Sequence, residues 1–328
     1  MVLLMGAAGL WLARRGIMDQ AFRRGLSHLL MVLLLPCLLL SKLSASVDVA
    51  HLTQWAVVPL MALLYIAAGM LCGWLVVLVT RPPPELRRVV VAATAFGNSG
   101  YVPIPLVMAL ASTAPLFAND PGASGRGVAY VSLYLVCMSP CLWAIAYPYL
   151  SHQPVRSMRL TELISPPVIA GFAGILLGAC PTLRHLVVDK GAPLRVFMDT
   201  ADIIGQAAIP CALLVLGANL AEAPPADGAV NARTILSIGV ARSVVLPLLG
   251  FAVVPALRAA GAIPADPMCS LVLMIEAGVP SATNLMIMCQ VHKRGEVAMS
   301  RILVWQYVLA VPALTILVAL FLWKVGNS

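Results

Sequence analysis

Ten apolar stretches, each bounded by charged residues or Pro/Gly-rich turns, dominate the sequence: 1–13, 26–44, 53–79, 88–112, 127–150, 165–183, 197–220, 234–257, 267–290 and 299–323. Most approach or exceed the length of about 20 residues at which a helix crosses a hydrocarbon core of about 30 Å. Unpaired backbone groups in lipid cost several kcal/mol each, which excludes an open sheet and makes every stretch helical in expectation. Composition agrees, because 61% hydrophobic and 10% charged residues with a mean hydropathy of +0.96 stand far from a soluble domain, which is about 45–50% apolar and about 25% charged. The expected fold is an all-α polytopic membrane protein with ten transmembrane spans, whose function lies in the bilayer. Span one, at 13 residues, covers only about 20 Å and reads as lacking its beginning; basic residues follow it, whereas in a signal peptide they would precede it.

The formal charge of +8 does not point to nucleic acid, since the basic residues come in pairs at the ends of apolar stretches: Arg14-Arg15, Arg23-Arg24, Arg87-Arg88 and Lys293-Arg294. Of the 21 Lys and Arg, thirteen follow odd-numbered spans, seven lie on the opposite side and Arg242 falls inside span eight. The positive-inside rule then puts the odd-numbered loops in the cytoplasm and both termini on the other side. The eight cysteines form no Cys-x-x-Cys pair, and Cys137 and Cys141, one turn apart, read as packing. No His-Glu-x-x-His, phosphate loop or Gly-x-Ser-x-Gly occurs, so no enzyme, metal site or cofactor is expected.

Two features suggest that a five-span unit occurs twice. Span two carries Pro36-Cys37 and span seven Pro210-Cys211, an offset of 174, and Pro105 of span four precedes Pro280 of span nine by 175. Five is odd, so the second copy enters from the opposite side and the repeat is inverted. The units would be 1–150 and 165–328, joined by a short cytoplasmic linker at 151–164.

Spans four and nine are interrupted. Span four contains Phe96-Gly97-Asn98-Ser99-Gly100-Tyr101-Val102-Pro103-Ile104-Pro105 and span nine Glu276-Ala277-Gly278-Val279-Pro280-Ser281-Ala282-Thr283-Asn284. Proline removes a helical hydrogen bond and glycine permits a bend, so both helices should open at mid-span and cross there. Irregular backbone at that depth belongs where it is buried or lines a cavity. Half-helix N-termini attract anions, and Asn98, Ser99, Ser281, Thr283 and Asn284 can add hydrogen bonds.

These residues resemble a family. Phe96 to Gly100 with Ile104-Pro105-Leu106 is similar to the Asn-x-Gly…Ile-Pro-Leu signature of the auxin efflux carrier family. Its PIN-LIKES branch is resembled by Ile209-Pro210-Cys211…Leu216-Gly217-Ala218-Asn219-Leu220, by Val279 to Leu285, by Arg301-Ile302-Leu303-Val304-Trp305-Gln306-Tyr307, and by Trp55 through Arg81-Pro82-Pro83. The resemblance implies two inverted five-helix repeats with helices four and nine crossing. It implies transport of indole-3-acetic acid or a related organic anion, and a place in the endoplasmic reticulum. The family also includes bacterial carriers of small carboxylates such as malonate. The loop at about 151–164 is too short to be the long regulatory loop of the plasma-membrane carriers, which disfavours polar cell-to-cell export. At position 276 PIN-LIKES relatives commonly carry glutamine where this chain has Glu276.

The intramembrane charges complete the candidate site. Asp199 and Asp202 read as interfacial. Arg242 has two readings, an anchor for a helix end or for Glu276, and an attractor of the substrate carboxylate. Glu276 precedes the break and is expected to bind and release a proton during transport. The substrate-binding candidates are Asn98, Ser99, Gly100, Pro103, Pro105, Pro280, Ser281, Asn284 and Asn219, with Glu276 and Arg242 as coupling or charge pair. The function expected is secondary transport of an organic carboxylate, with auxin favoured, across an intracellular membrane. The alternatives are a sodium- or proton-coupled carrier of small dicarboxylates or bile-acid-like anions, and a receptor that binds without transporting. The partners expected are the organic anion and the bilayer, with no nucleic acid; a homodimer is allowed, and the plasma membrane is the alternative address.

Overall fold

The structure, a computed structural model, describes residues 2–46, 55–151, 166–219, 221, 230–292 and 294–326. The linker expected at 151–164 lies outside the described residues apart from Ser151, which ends a helix. Among the described residues there are helices and no strand beyond one isolated bridge. The helices are α1 (Val2–Arg14), α2 (Gln20–Ala45), α3 (Val57–Thr80), α4 (Arg87–Ala95), α5 (Pro103–Thr113), α6 (Ala123–Leu150), α7 (Pro166–Ala179), α8 (Pro181–Val188), α9 (Arg195–Gln206), α10 (Ala208–Asn219), α11 (Ala232–Ala259), α12 (Pro267–Gly278), α13 (Asn284–His292) and α14 (Glu296–Gly326).

The protein is a multi-pass integral membrane protein. Six stretches are long and apolar enough to cross a membrane, one of them running from α9 into α10, and α7 with α8 makes a seventh if that pair, bent by 94° at Cys180, is one span. Where spans four and nine were expected the structure has the short helices α4 and α5, and α12 and α13, and where the first was expected it has the 13-residue α1. Six or seven candidate spans thus stand against the ten expected.

Proline shapes the long helices in a repeated way. Three of the four π-helical turns among the described residues, Leu30–Leu34, Leu142–Ala146 and Ala241–Val245, end two residues before Pro36, Pro148 and Pro247. A proline ring clashes with the carbonyl four residues back and offers it no N–H. In each case that carbonyl lies inside the π turn, where the widened backbone accommodates the ring.

The chain divides into two compact units that interleave along the sequence. The first comprises 1–59, 100–139 and 164–221. Within it α1 packs on α10 and α7 on α2. A Cβ at Gly217 would run into the backbone carbonyl of Gly6, and one at Gly9 into that of Leu214; membrane helices lack a hydrophobic drive to associate and use such small residues to approach. Asp202 joins α9 to α2 through Lys42, 2.7 Å away, and through the Ser41 hydroxyl, while Asp199 pairs with the exposed Arg195. The second unit comprises 60–99, 140–163 and 222–328. Its core is built on α12, buried along nearly its whole length, against which α11 and α14 pack.

Candidate functional site

The site lies in the second unit, where two half-helices end. Helix α12 starts at the Asp266 cap, whose carboxylate accepts from Met268 N at 3.0 Å, with Pro267 in the first turn. It stops at Val279, held extended (φ −67°, ψ 147°) because the residue before a proline is pushed out of the helical region. Helix α4 stops at Phe96, also extended, and Gly97 follows. The two extended segments cross as an antiparallel bridge between Gly97 and Ser281. Asn98 N–H donates to Pro280 O at 2.7 Å and Ala282 N–H donates to Phe96 O at 2.9 Å. The two hydrogen bonds flank the bridge on either side, as an antiparallel pairing requires. Pro105 lies away from the bridge: with Pro103 it opens α5, where a missing N–H costs nothing.

A helix terminus leaves carbonyls without partners and carries partial negative charge, and here two such termini meet in a buried place. Arg242 answers both. Its Nε and Nη2 donate to Val279 O at 2.7 and 2.5 Å, and its Nη1 donates to Thr94 O at 2.9 Å. The Ser281 hydroxyl donates to Ala93 O at 2.6 Å. Tyr307 of α14 accepts from Asn98 Nδ2 at 2.5 Å and donates to Ser281 O at 3.2 Å. Only a glycine fits at 97, because a Cβ there would meet Arg242 Nη2. The guanidinium thus ties α11 to the ends of α4 and α12, and none of its hydrogen bonds above goes to Glu276.

Glu276 sits in the last turn of α12, 2% exposed, and neither carboxylate oxygen has a hydrogen-bond partner. Arg242 acts on it through charge and the Ser99 hydroxyl, itself 4% exposed, is the neighbour placed to hydrogen-bond it, although no hydrogen bond of that hydroxyl is completed among the described residues. Tyr65 of α3 also feels the carboxylate and donates instead to Leu273 O at 3.0 Å. A buried carboxylate without a completed hydrogen bond, at the negative end of a helix, is an expensive arrangement as an anion.

Of the residues expected from the sequence, Asn98, Ser99, Pro280, Ser281, Arg242 and Glu276 come together at or beside the crossover, and Asn284 opens α13 half-buried. Gly100, Pro103 and Pro105 belong to the first unit, where Gly100 and Pro105 line a recess with Tyr101, Ile104, Leu35, Leu38, Ala208 and Ala212. Asn219 ends α10 in that unit too; its side chain lies outside the described residues. Tyr65 escaped sequence reading and Tyr307 entered it only as the end of a family motif, because a tyrosine in an apolar helix carries no signal of what its hydroxyl reaches. Among the described residues no three His, Cys, Asp or Glu group as a metal site would require, and the cysteines form no disulfide.

The family described as membrane transport protein matches residues 1–157 and 150–318. The chain is 27% identical to protein PIN-LIKES 1 of Arabidopsis thaliana, over 99% of this chain and 78% of that one. It is 26% identical to PIN-LIKES 3 of the same plant, over 99% and 96%. An uncharacterised transporter of Saccharomyces cerevisiae is 23% identical over 97% of this chain and 92% of its own.

Proposed function

Since the chain belongs to the membrane transport protein family, that of the auxin efflux carriers, we propose that it is a secondary carrier of organic carboxylate anions, with auxin the favoured substrate, working by alternating access across an intracellular membrane. The family is one of membrane transporters and not of enzymes. The observation that carries the reading is the buried crossover, where two helices end and their extended backbones hydrogen-bond to each other.

Arg242 serves the helix ends as an anchor. The carboxylate is then met by the N-terminal end of α13, where the helix dipole is positive and Thr283 and Asn284 are half-buried. The aromatic body would rest on apolar side chains. Two inverted five-helix repeats, 1–150 and 165–328, are supported by the packing of α1 on α10 and α7 on α2, in which the first helix of each repeat meets the second of the other. The excess of Lys and Arg after odd-numbered spans favours cytoplasmic odd loops, and the likeness to PIN-LIKES proteins favours the endoplasmic reticulum.

The test is flux of labelled indole-3-acetic acid into proteoliposomes, with malonate and benzoate as competitors, Na⁺ present or absent, and Pro280→Ala as control. Saturable flux lost in the variant, whose Val279 is freed from the restriction proline imposes, supports the reading. Saturable binding with no flux of any carboxylate would make the protein a receptor instead.

A further inference from the structure

We propose that Glu276 carries one proton with each carboxylate, so that the carrier moves a proton and an organic anion together and transport is electroneutral. The inference rests on the carrier reading and adds its coupling ion and stoichiometry.

It stands on the charges of the buried core. Among the described residues the buried charged side chains are Arg242, 3% exposed, and Glu276, 2% exposed. With Glu276 ionised the two sum to zero, and an arriving carboxylate would leave one uncompensated negative charge inside the membrane, a penalty of several kcal/mol. With Glu276 protonated they sum to plus one, and the substrate restores neutrality. Binding of the anion and binding of the proton therefore favour each other, by equal factors.

The surroundings of Glu276 suit a carboxyl group that changes state. Among the described residues neither oxygen has a completed hydrogen bond, and the Arg242 bonds described above go to the Val279 and Thr94 carbonyls. The Ser99 hydroxyl, also without a partner, can accept from the acid and donate to the carboxylate. The charged or titratable groups that face it are Arg242 from α11 and Tyr65 from α3, and Tyr65 is committed to Leu273 O. Pro247 of α11 and Leu314 and Leu317 of α14 line the same end of α12 at Gly278, and Tyr307 of α14 is engaged by Asn98 and Ser281. The step itself is simple. The carboxylate takes a proton from water on the side richer in protons, the substrate binds as its anion, and both leave to water on the other side, with no bond in the substrate altered.

The experiment uses proteoliposomes with the pH difference and the membrane potential set independently, protein-free vesicles correcting for diffusion of the neutral acid. The carboxylate used is whichever of indole-3-acetate, benzoate or malonate shows saturable flux. For wild type with a monoanion, an imposed potential is expected to change nothing, and the apparent affinity is expected to fall about tenfold per pH unit in the alkaline range, as one linked proton requires. Glu276→Gln should be indifferent to pH and should respond to potential, because the anion then moves alone. Wild-type binding in weakly buffered detergent solution should take up one proton per substrate, a measurement that needs no variant. Saturable wild-type flux that follows potential and ignores pH, or that requires Na⁺, would overturn the proton role while leaving the carrier standing. Absence of saturable flux for every carboxylate at every pH would sink the carrier reading and this inference with it.

Discussion

Arg242→Met tests how the crossover is held. The change removes a guanidinium that is 3% exposed and satisfies two helix-end carbonyls at 2.5–2.9 Å. A hydrogen bond to a charged group contributes about 1.5–3 kcal/mol net, so two orphaned acceptors cost about 3–6 kcal/mol. The loss of one member of a buried charged network is independently put at about 3–5 kcal/mol. For a chain of this size a kcal/mol shifts Tm by about 2 °C, which predicts a fall of about 6–10 °C. Arg242→Lys keeps the charge but not the fork that spans two acceptors and should fall between. Thermal unfolding in detergent, followed by the fluorescence of the six tryptophans, reads all three proteins. A fall of less than about 2 °C for the methionine variant, or a lysine variant as stable as wild type, would refute the claim that this side chain pins both helix ends.

Two further outcomes follow from the same geometry and from one loop. Gly97→Ala places a methyl group against Arg242 Nη2 and 2.7 Å from Val279 Cγ2, an overpacking that costs about 1–3 kcal/mol. Because it displaces the guanidinium that Arg242→Met deletes, the double variant should lose less stability than the two single losses added, and strict additivity in a double-mutant cycle would contradict the shared contact. In the connection between α5 and α6, a hydrogen bond from Arg126 holds the Asp120 carboxyl below the usual carboxylate range. A depressed value means a contribution present above the ordinary aspartate value of about 3.9 and lost as pH falls through the lower, folded one. The two side chains are 35% and 36% exposed, so Asp120→Asn should cost little at neutral pH, and the difference in Tm from wild type should shrink as the pH is taken below the ordinary aspartate value of about 3.9; a difference that grew on acidification would reverse the sign argued here.

Much of the architecture was written in the chain locally. Apolar length and backbone satisfaction make helices of the stretches, and Pro280 with the glycine-rich run at 97–100 dictates where two of them open, because proline and glycine act on their own backbone whatever surrounds them. The residues of the break could be named from sequence for the same reason: Asn98, Ser99, Pro280 and Ser281 lie in or next to it. Intramembrane charge likewise singled out Arg242 and Glu276, since an ionisable group in an apolar stretch is costly wherever the helix lies.

What required the tertiary structure was every statement about which group answers which. That Gly97 pairs with Ser281 could not be read along the chain, because register between distant segments is set by hydrogen bonds across them. The acceptors of Arg242, Val279 O and Thr94 O, lie 37 and 148 residues away. The bonds of the Tyr307 and Tyr65 hydroxyls were not legible either, since a hydroxyl's partner is a matter of helix packing. The same holds for Glu276: the sequence determined that a carboxyl group enters the membrane next to a broken helix, and only the packing of α3, α11 and α14 around α12 decided that Arg242, Tyr65 and Tyr307 bond other groups and leave the Ser99 hydroxyl beside it.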